Sequence, residues 1–193
     1  MVKLAAAGRV KTRLAKGLGA GRAAAIYRQM TAALLRDVAR DRRWETWLAI
    51  APDHALASPT WPSGPQRIAQ GRGDLGRRMG RLAAELPPGP VVIIGTDVPD
   101  IRTGHIMRAF RQLEFHDAVF GPAADGGYWL AGLARRRAVP GLFADVRWSS
   151  PHALADSLRP FARLRVALLD ELSDIDDAED WRAHQCRARR VRP

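Results

Sequence analysis

A carboxylate follows a fully apolar segment at one point of this sequence, in a position suited to binding a divalent metal. The run from Val91 to Ile94 ends at Gly95, and Asp97 then precedes Pro99. A carboxylate at the carboxyl end of a strand in an open parallel sheet can take one coordination position of Mg²⁺ or Mn²⁺, while substrate phosphates take others. A residue that only caps a turn is the alternative interpretation.

A second carboxylate, Asp125, stands beside two consecutive glycines, Gly126 and Gly127, and is followed by Tyr128. Adjacent glycines let the backbone approach a ligand closely, so Asp125 is a candidate catalytic residue that binds the metal or acts on an acceptor. Asp-Gly is also a strong hairpin signal. On this motif alone, a hairpin turn is the simpler interpretation.

A basic loop near the N-terminus has the composition of a phosphate-binding segment. Its backbone amides and cations could bind a diphosphate, although its spacing is not that of a Walker A loop. The candidate nucleotide-binding residues are Gly8, Arg9, Lys11, Thr12 and Arg13. We expect Lys11 and Arg13 to be exposed, so that replacing them weakens nucleotide binding far more than it lowers stability. A solvated basic surface is the alternative.

A glycine-rich segment at Gly73, Asp74 and Gly76 leads into a predicted helix. The N-terminus of such a helix favours an anion or the edge of a base, which makes these residues further candidates for nucleotide binding. An ordinary helix cap at Asp74 is equally compatible with the pattern.

The elements that would position these motifs alternate along the chain. Short apolar runs predict strands, helical periodicity predicts helices between them, and together they predict an α/β fold with a mainly parallel sheet. Thr103 is expected to cap one helix, and Asp177 with Asp180 forms a predicted capping box for the last one. The predicted strands are 46–51, 91–95, 118–121, 128–132 and 165–169, and the predicted helices are 20–40, 75–86, 103–113, 151–161 and 177–189.

Composition narrows the function classes. A chain of 193 residues without an obvious linker predicts one domain, and the absence of a long apolar segment predicts a soluble, cytoplasmic protein with no membrane partner. The single cysteine, Cys186, excludes an internal disulfide and a thiolate zinc site. The net charge of +11 attracts anions. Because acidic residues cluster between 170 and 180, and no nucleic-acid-binding motif is present, we expect no nucleic acid partner.

In the order of these motifs, the chain resembles the small bacterial transferases with the glycosyltransferase A fold, often called radical-SAM/selenodomain-associated transferases. It resembles the phospholactate guanylyltransferases and molybdenum-cofactor nucleotidyltransferases more distantly. The motifs that carry the resemblance are 8–14, 73–79, 95–99, 121–128, 148–150 and 174–180. The resemblance implies a three-layer nucleotide-diphospho-sugar transferase fold, with Asp97 as ligand of Mg²⁺ or Mn²⁺ and with Lys11 and Arg13 near the phosphates.

The same resemblance implies that the first strand is truncated or that the start of the sequence is misassigned, because members of the family begin with a complete apolar strand before the position of Lys3. Residues 182–193 form a basic tail. We expect Gly126, Gly127, Tyr128 and Asp176 to lie near the acceptor or behind the metal ligand, and Trp148 to pack in the core rather than stack on a base.

Three functions are compatible with these features. The first is a metal-dependent glycosyltransferase that uses a nucleotide-diphosphate sugar and an acceptor that the sequence does not identify. The second is a nucleotidyltransferase that joins a nucleoside triphosphate to a phosphorylated small molecule. The third is a nucleotide-binding protein without catalytic activity. In each case the expected ligand is a nucleotide or a nucleotide sugar.

Overall fold

The strands of the computed structural model form two hydrogen-bonded groups that adjoin at β1 and β4. The structure describes residues 1–190, with side chains to residue 187, so the last three residues of the basic tail lie outside the described residues. The strands are β1 (Val2–Lys3), β2 (Trp47–Ala51), β3 (Gln66–Ala69), β4 (Val91–Ile94), β5 (Ala118–Pro122), β6 (Tyr128–Leu133) and β7 (Val166–Leu168). The helices are α1 (Thr12–Leu18), α2 (Ala20–Val38), α3 (Leu75–Glu85), α4 (Thr103–Leu113), α5 (Ala153–Leu158) and α6 (Ala178–Arg190).

The strand order is β1-β2-β3 in one group and β4-β6-β5-β7 in the other. The backbone nitrogen of Met1 donates to the carbonyl oxygen of Ile94 at 2.6 Å and links the start of β1 to β4. Strands β1, β2 and β3 run parallel, as do β5 and β7, whereas β6 is antiparallel to both of its neighbours. The predicted α/β fold with a mainly parallel sheet is confirmed, and β6 is its antiparallel exception.

Helices cover both faces of the second group of strands, which explains why its strands read as continuous apolar runs. On one face, α2 and α4 pack against Val119 and Leu130. On the other face, α3 and α5 pack against Phe120 and Ala131. Successive residues of each strand point to opposite faces, so both members of each neighbouring pair are buried.

The predicted helices and five of the strands are observed, with shifts at their ends. The predicted helix 151–161 is α5 followed by a 3₁₀ turn, Arg159–Phe161. Arg102, rather than Thr103, precedes the first turn of α4, and the Thr103 hydroxyl instead donates to the carbonyl oxygen of Asp37 at 3.0 Å. The capping box of α6 forms, because the carboxylates of Asp177 and Asp180 accept bonds from each other's backbone NH groups.

Two strands and one α-helix were not predicted from the sequence. Strand β1 has only two residues, and β3 begins with Gln66 and Arg67, so neither forms a continuous apolar run. Helix α1 overlaps the segment 8–14 that was interpreted as a basic loop, of which only the residues before Thr12 are loop. Within the described residues, none of the helices combines the length and the apolar character needed to cross a membrane.

Gly76, in the first turn of α3, is buried beneath the segment that carries Phe143 and Trp148. A Cβ atom at this position would overlap the carbonyl oxygen of Phe143 and lie 3.0 Å from the ring of Trp148. Packing therefore accounts for this glycine.

We expect Gly76→Ala to lower the free energy of unfolding by about 1–3 kcal/mol, the usual cost of adding volume to a packed interior. Gly80→Ala is the matched control on the same helix, since a Cβ at Gly80 meets no atom within 4 Å. That change should raise stability by up to about 1 kcal/mol through helix propensity. Urea denaturation of both variants tests the pair, and equal stabilities would contradict the packing role.

Candidate functional site

A cleft of about 810 Å³ opens where the strands end, at the edge of the sheet where parallel α/β folds bind ligands. Residues that follow or end four strands line it: Lys3 ends β1, Gln70 follows β3, Asp97 comes after β4 and Asp125 comes after β5. The loop after β1 and the start of α3 complete its walls. The cleft therefore collects side chains that are far apart in the sequence.

Lys11 stands at the centre of the charged groups in this cleft. Its Nζ lies 3.4 Å from Oδ2 of Asp97 and 3.0 Å from Oδ1 of Asp176, and its side chain is only 7% exposed. Although burial alone would lower the pKa of Lys11, the carboxylates of Asp97 and Asp176 raise it above its ordinary value. Lys11 is thus a buried cation held between two acids, and the expectation that it is exposed is wrong.

Arg13 differs from Lys11 in this respect. Its guanidinium donates to Oδ2 of Asp176 at 3.1 Å, but its side chain is 70% exposed, as expected from the sequence. Arg9 and Thr12 also line the cleft. The basic segment therefore supplies one buried and two exposed cations to the same site.

The segment 174–176 reaches the cleft through a backbone bond to Asp97. The NH of Ile175 donates to the carbonyl oxygen of Asp97 at 3.1 Å, and the Ile175 side chain is buried. The NH of Asp176 donates to Oδ2 of Asp180, which belongs to the capping box of α6. The start of α6 thus fixes Asp176 beside Lys11.

A buried hydroxyl pair positions the backbone next to Asp97. Oη of Tyr27 and Oγ1 of Thr96 lie 2.9 Å apart, and Oη also accepts a bond from the NH of Lys3 at 3.0 Å. Burial raises the pKa of Tyr27, so the phenol stays protonated. Helix α2 therefore connects the end of β1 to the end of β4 at the floor of the cleft.

The turn between β5 and β6 brings Asp125 and Tyr128 to the cleft. Oδ1 of Asp125 accepts a bond from the NH of Gly127 at 2.9 Å, which is the hairpin turn anticipated from Asp-Gly. Gly126 has a positive φ of 82° and lies against the backbone of Pro151, where a Cβ would overlap. Gly126 and Gly127 shape the turn, and Asp125 is exposed to the cleft.

The remaining predicted residues differ in their placement. Gly73 and Asp74 line the cleft, and Oδ1 of Asp74 also caps α3 by accepting a bond from the NH of Arg77 at 2.8 Å.

Gly8 has a positive φ of 74° in the turn before Arg9. Gly8 is not part of the described lining, and Gly76 is packed inside as set out above. Trp148 packs on the core, with its ring centroid 6.3 Å from that of Tyr128.

Asp174, Tyr27 and Arg78 are site residues that the sequence did not single out for a role. Tyr27 and Arg78 line the cleft, and Asp174 lies close enough to Lys11 and Asp176 to interact with their charges. Of these three residues, only Asp174 could have been identified from the local sequence, because it stands two residues before the candidate Asp176. Nothing in the local sequence distinguishes Tyr27 from an ordinary buried residue of α2.

We expect the carboxyl of Asp174 to contribute a loss of stability to the metal-free protein as pH rises from about 4 to about 6. Burial and the neighbouring Asp176 raise the pKa of Asp174 to about 6, above the ordinary value of about 3.9. The folded protein then binds more protons than the unfolded chain across this window, so the free energy of unfolding falls as pH rises through it. Solvent screening at this half-exposed carboxyl limits the effect to about 1 kcal/mol.

The variant Asp174→Asn isolates this contribution. It should be more stable than the parent at pH 7 and equal to it near pH 4, as measured by thermal melting in buffer with chelator. Asp177→Ala is the contrast, because bonds from the NH groups of Asp180 and Glu179 lower the pKa of Asp177. Its removal should lower stability at pH 7. If the difference in melting temperature between Asp174→Asn and the parent is the same at every pH, the assignment is refuted.

The carboxylates around Lys11 suit a hard divalent cation. Oxygen is the ligand atom that Mg²⁺ and Mn²⁺ prefer. The side chains of Asp97 and Asp176 keep 44% and 39% of their surface exposed, so their oxygens are accessible from the cleft. Among the described residues, no three His, Cys, Asp or Glu side chains already form a complete metal site. A cation here would take further ligands from substrate oxygens and water.

Comparisons with known proteins bear on this cleft. The model of a bacterial family, described as "Uncharacterized protein conserved in bacteria (DUF2064)", matches residues 34–150, more than half of the chain. Among curated proteins, none matches the chain.

Solved structures share the fold. A candidate nucleotide-diphospho-sugar transferase from Desulfovibrio desulfuricans G20 is 28% identical, with a TM-score of 0.86 over 99% of this chain and 86% of its own. Rv0371c from Mycobacterium tuberculosis H37Rv, in a complex with manganese, is 18% identical, with a TM-score of 0.56 over 80% of this chain and 84% of its own. A 4-diphosphocytidyl-2C-methyl-D-erythritol synthase from Anaerococcus prevotii DSM 20548 is 10% identical, with a TM-score of 0.61 over 83% and 89%.

Proposed function

We propose that this chain, which belongs to the bacterial protein family DUF2064, is a metal-dependent glycosyltransferase that uses a nucleoside-diphosphate sugar. The observation that carries the proposal is the ion cluster in which Nζ of Lys11 lies between Asp97 and Asp176 at 3.4 and 3.0 Å. Cations for phosphate and carboxylates for a metal thus share one cleft. The likeness to a candidate nucleotide-diphospho-sugar transferase supports the same class of donor.

Each part of the cleft has a task in this reaction. Lys11 and the exposed guanidinium of Arg13 bind the diphosphate oxygens, and the amides at the start of α3, near Gly73 and Asp74, face the anion or the base. Asp97 is the metal ligand, and the carboxylates of Asp176 and Asp174 lie near enough to interact with it. A bound Mg²⁺ or Mn²⁺ would offset the charge that develops on the leaving diphosphate.

Asp125 is the proposed general base. It is exposed in the cleft on the turn after β5. An acceptor hydroxyl that attacks the sugar must lose a proton, and a carboxylate within hydrogen-bond reach can take it. The glycosyl bond to the diphosphate breaks as the bond to the acceptor oxygen forms. Tyr128 lies next to this turn and borders the space for the acceptor.

Nucleotidyl transfer is the second candidate function. Five cationic residues line the cleft, which suits the larger charge of a triphosphate: Lys3, Arg9, Lys11, Arg13 and Arg78. The solved structures from Anaerococcus prevotii and Mycobacterium tuberculosis are too dissimilar in sequence to support more than the fold. The two reactions differ in what leaves: a nucleoside diphosphate in the first and pyrophosphate in the second.

A thermal-shift panel tests the proposal. Nucleoside-diphosphate sugars and nucleoside triphosphates are compared with and without Mn²⁺. A ligand present at 100 times its dissociation constant stabilises by about 2.7 kcal/mol, which raises the melting temperature by about 5–10 °C for a chain of this length. We expect the largest rise with a nucleotide sugar plus Mn²⁺. A rise with triphosphates alone favours nucleotidyl transfer, and no rise with any nucleotide contradicts both.

A further inference from the structure

A second cavity of about 790 Å³ lies between α2 and the segment 59–65, outside the cleft that holds Asp97. Tyr27 and Lys3 belong to the walls of both cavities. The remaining walls of the second cavity come from one side of α2 and from the proline-containing segment before β3. None of the tasks assigned to the first cleft uses these walls.

The charges around the second cavity are of one sign. Lys3, Arg28, Arg36 and Arg40 line it, and none of its lining residues is acidic. The acids nearest to Arg40 along the chain are engaged elsewhere. Asp41 pairs with Arg43 at 2.5 Å, and Oδ2 of Asp37 accepts a bond from the NH of Thr103 at 3.2 Å. Low-dielectric walls lined by one sign of charge concentrate ions of the opposite sign.

The inner part of the cavity is apolar. Leu4 and Leu35 belong to the cluster that packs around Trp61, whose residue is 8% exposed. Nε1 of Trp61 donates to the carbonyl oxygen of Ala55 at 2.7 Å, which leaves the ring as a fixed apolar surface of the cavity. Ligand sites are typically apolar concavities with a few convergent polar groups, and this one has cations at its edge.

We propose that this cavity is a second ligand site, which binds an organic anion with an apolar body. The carboxylate, phosphate or sulfonate of the ligand lies among the arginines of α2. Its apolar part covers Trp61 and Leu35.

Fluorescence titration with 8-anilinonaphthalene-1-sulfonate tests the proposal, since this probe joins an anion to an apolar body. N-phenyl-1-naphthylamine has the same rings without the sulfonate, and inorganic phosphate has the charge without the rings. We expect saturable binding of the sulfonate at one site, and binding at least about 10-fold weaker for the neutral analogue and for phosphate. Equal affinity for the neutral analogue would overturn the anion requirement.

Variants then locate the bound probe. The double variant Arg28→Ala, Arg36→Ala should bind the sulfonate at least about 10-fold more weakly, because neither residue lines the first cleft. Arg22→Ala is the matched control, an exposed arginine on α2 outside both cavities. Unchanged affinity in the double variant, or no saturable binding to the parent, would overturn the proposed site.

Discussion

Asp97→Asn is expected to abolish metal-dependent nucleotide binding and to leave the fold intact. The substitution keeps the size of the side chain but removes the charge that attracts the cation. Replacing a residue that only orients a metal ligand typically costs about 10–100-fold in metal affinity, so losing the ligand itself should cost more than about 100-fold. The bond from the NH of Ile175 goes to the backbone carbonyl of Asp97 and survives the change.

Titration calorimetry with a nucleoside diphosphate plus Mn²⁺ measures this effect. Asp145→Asn is the matched control, because Asp145 is exposed outside the cleft and has a left-handed φ of 52°, which asparagine adopts readily. The control should bind like the parent. Equal binding by Asp97→Asn and the parent, or parent binding that does not depend on metal, would make Asp97 a turn residue and remove the basis of the mechanism.

Lys11→Met is expected to weaken nucleotide binding and to destabilise the protein, in contrast to Arg13→Ala. Removing one partner of a buried ion pair costs about 3–5 kcal/mol. Because Asp97 and Asp176 remain 44% and 39% exposed, we expect a loss of about 1–3 kcal/mol in the free energy of unfolding. The raised pKa of Lys11 keeps this stabilisation in force from neutral pH up to about pH 10, whereas acid removes it by protonating the carboxylate partners. Nucleotide affinity should fall by about 10–100-fold.

Lys16→Met provides the control for this variant. Lys16 is an exposed lysine in the last turn of α1, away from the cleft, and its replacement should change neither affinity nor stability by a measurable amount. Arg13→Ala should weaken binding with little loss of stability, since its side chain is 70% exposed. Urea denaturation and calorimetry separate the two effects. A Lys11→Met protein as stable as the parent would show that the ion cluster does not contribute to folding.

The parts of the fold that the sequence predicted are those with strong local signals. Strand β4 is a continuous apolar run bounded by proline and glycine, and the capping box of α6 needs only residues three positions apart. Strand β3 gave no such signal, because it forms the edge of its group and carries Gln66 and Arg67. Its pairing with β2 is a tertiary contact, and a local pattern does not encode it.

In the cleft, too, the residues with a local signal were predicted and those that depend on distant contacts were not. The sequence placed Asp97 and Asp125 in the cleft because each follows an apolar strand and precedes a turn. The burial of Lys11 was missed, because it depends on Asp176, which is 165 residues away in the chain. Gly76 was interpreted as part of a nucleotide loop, whereas its neighbours Phe143 and Trp148 come from a distant segment. Local sequence identifies charged and flexible residues, but only the fold decides which of them meet.

The left-handed backbone of Lys11, with φ 46° and ψ 53°, has a consequence for protein engineering. This conformation costs a residue with a side chain about 1–2 kcal/mol, and glycine adopts it freely. The ion pairs of Lys11 with Asp97 and Asp176 offset this cost, whereas the raised pKa of Asp174 marks a carboxyl that burial and its acidic neighbour destabilise. Selection for thermostability alone would therefore retain the strained Lys11 and favour changes at Asp174, so that heat-resistant variants would lose an acid of the proposed metal site before they lost its cation.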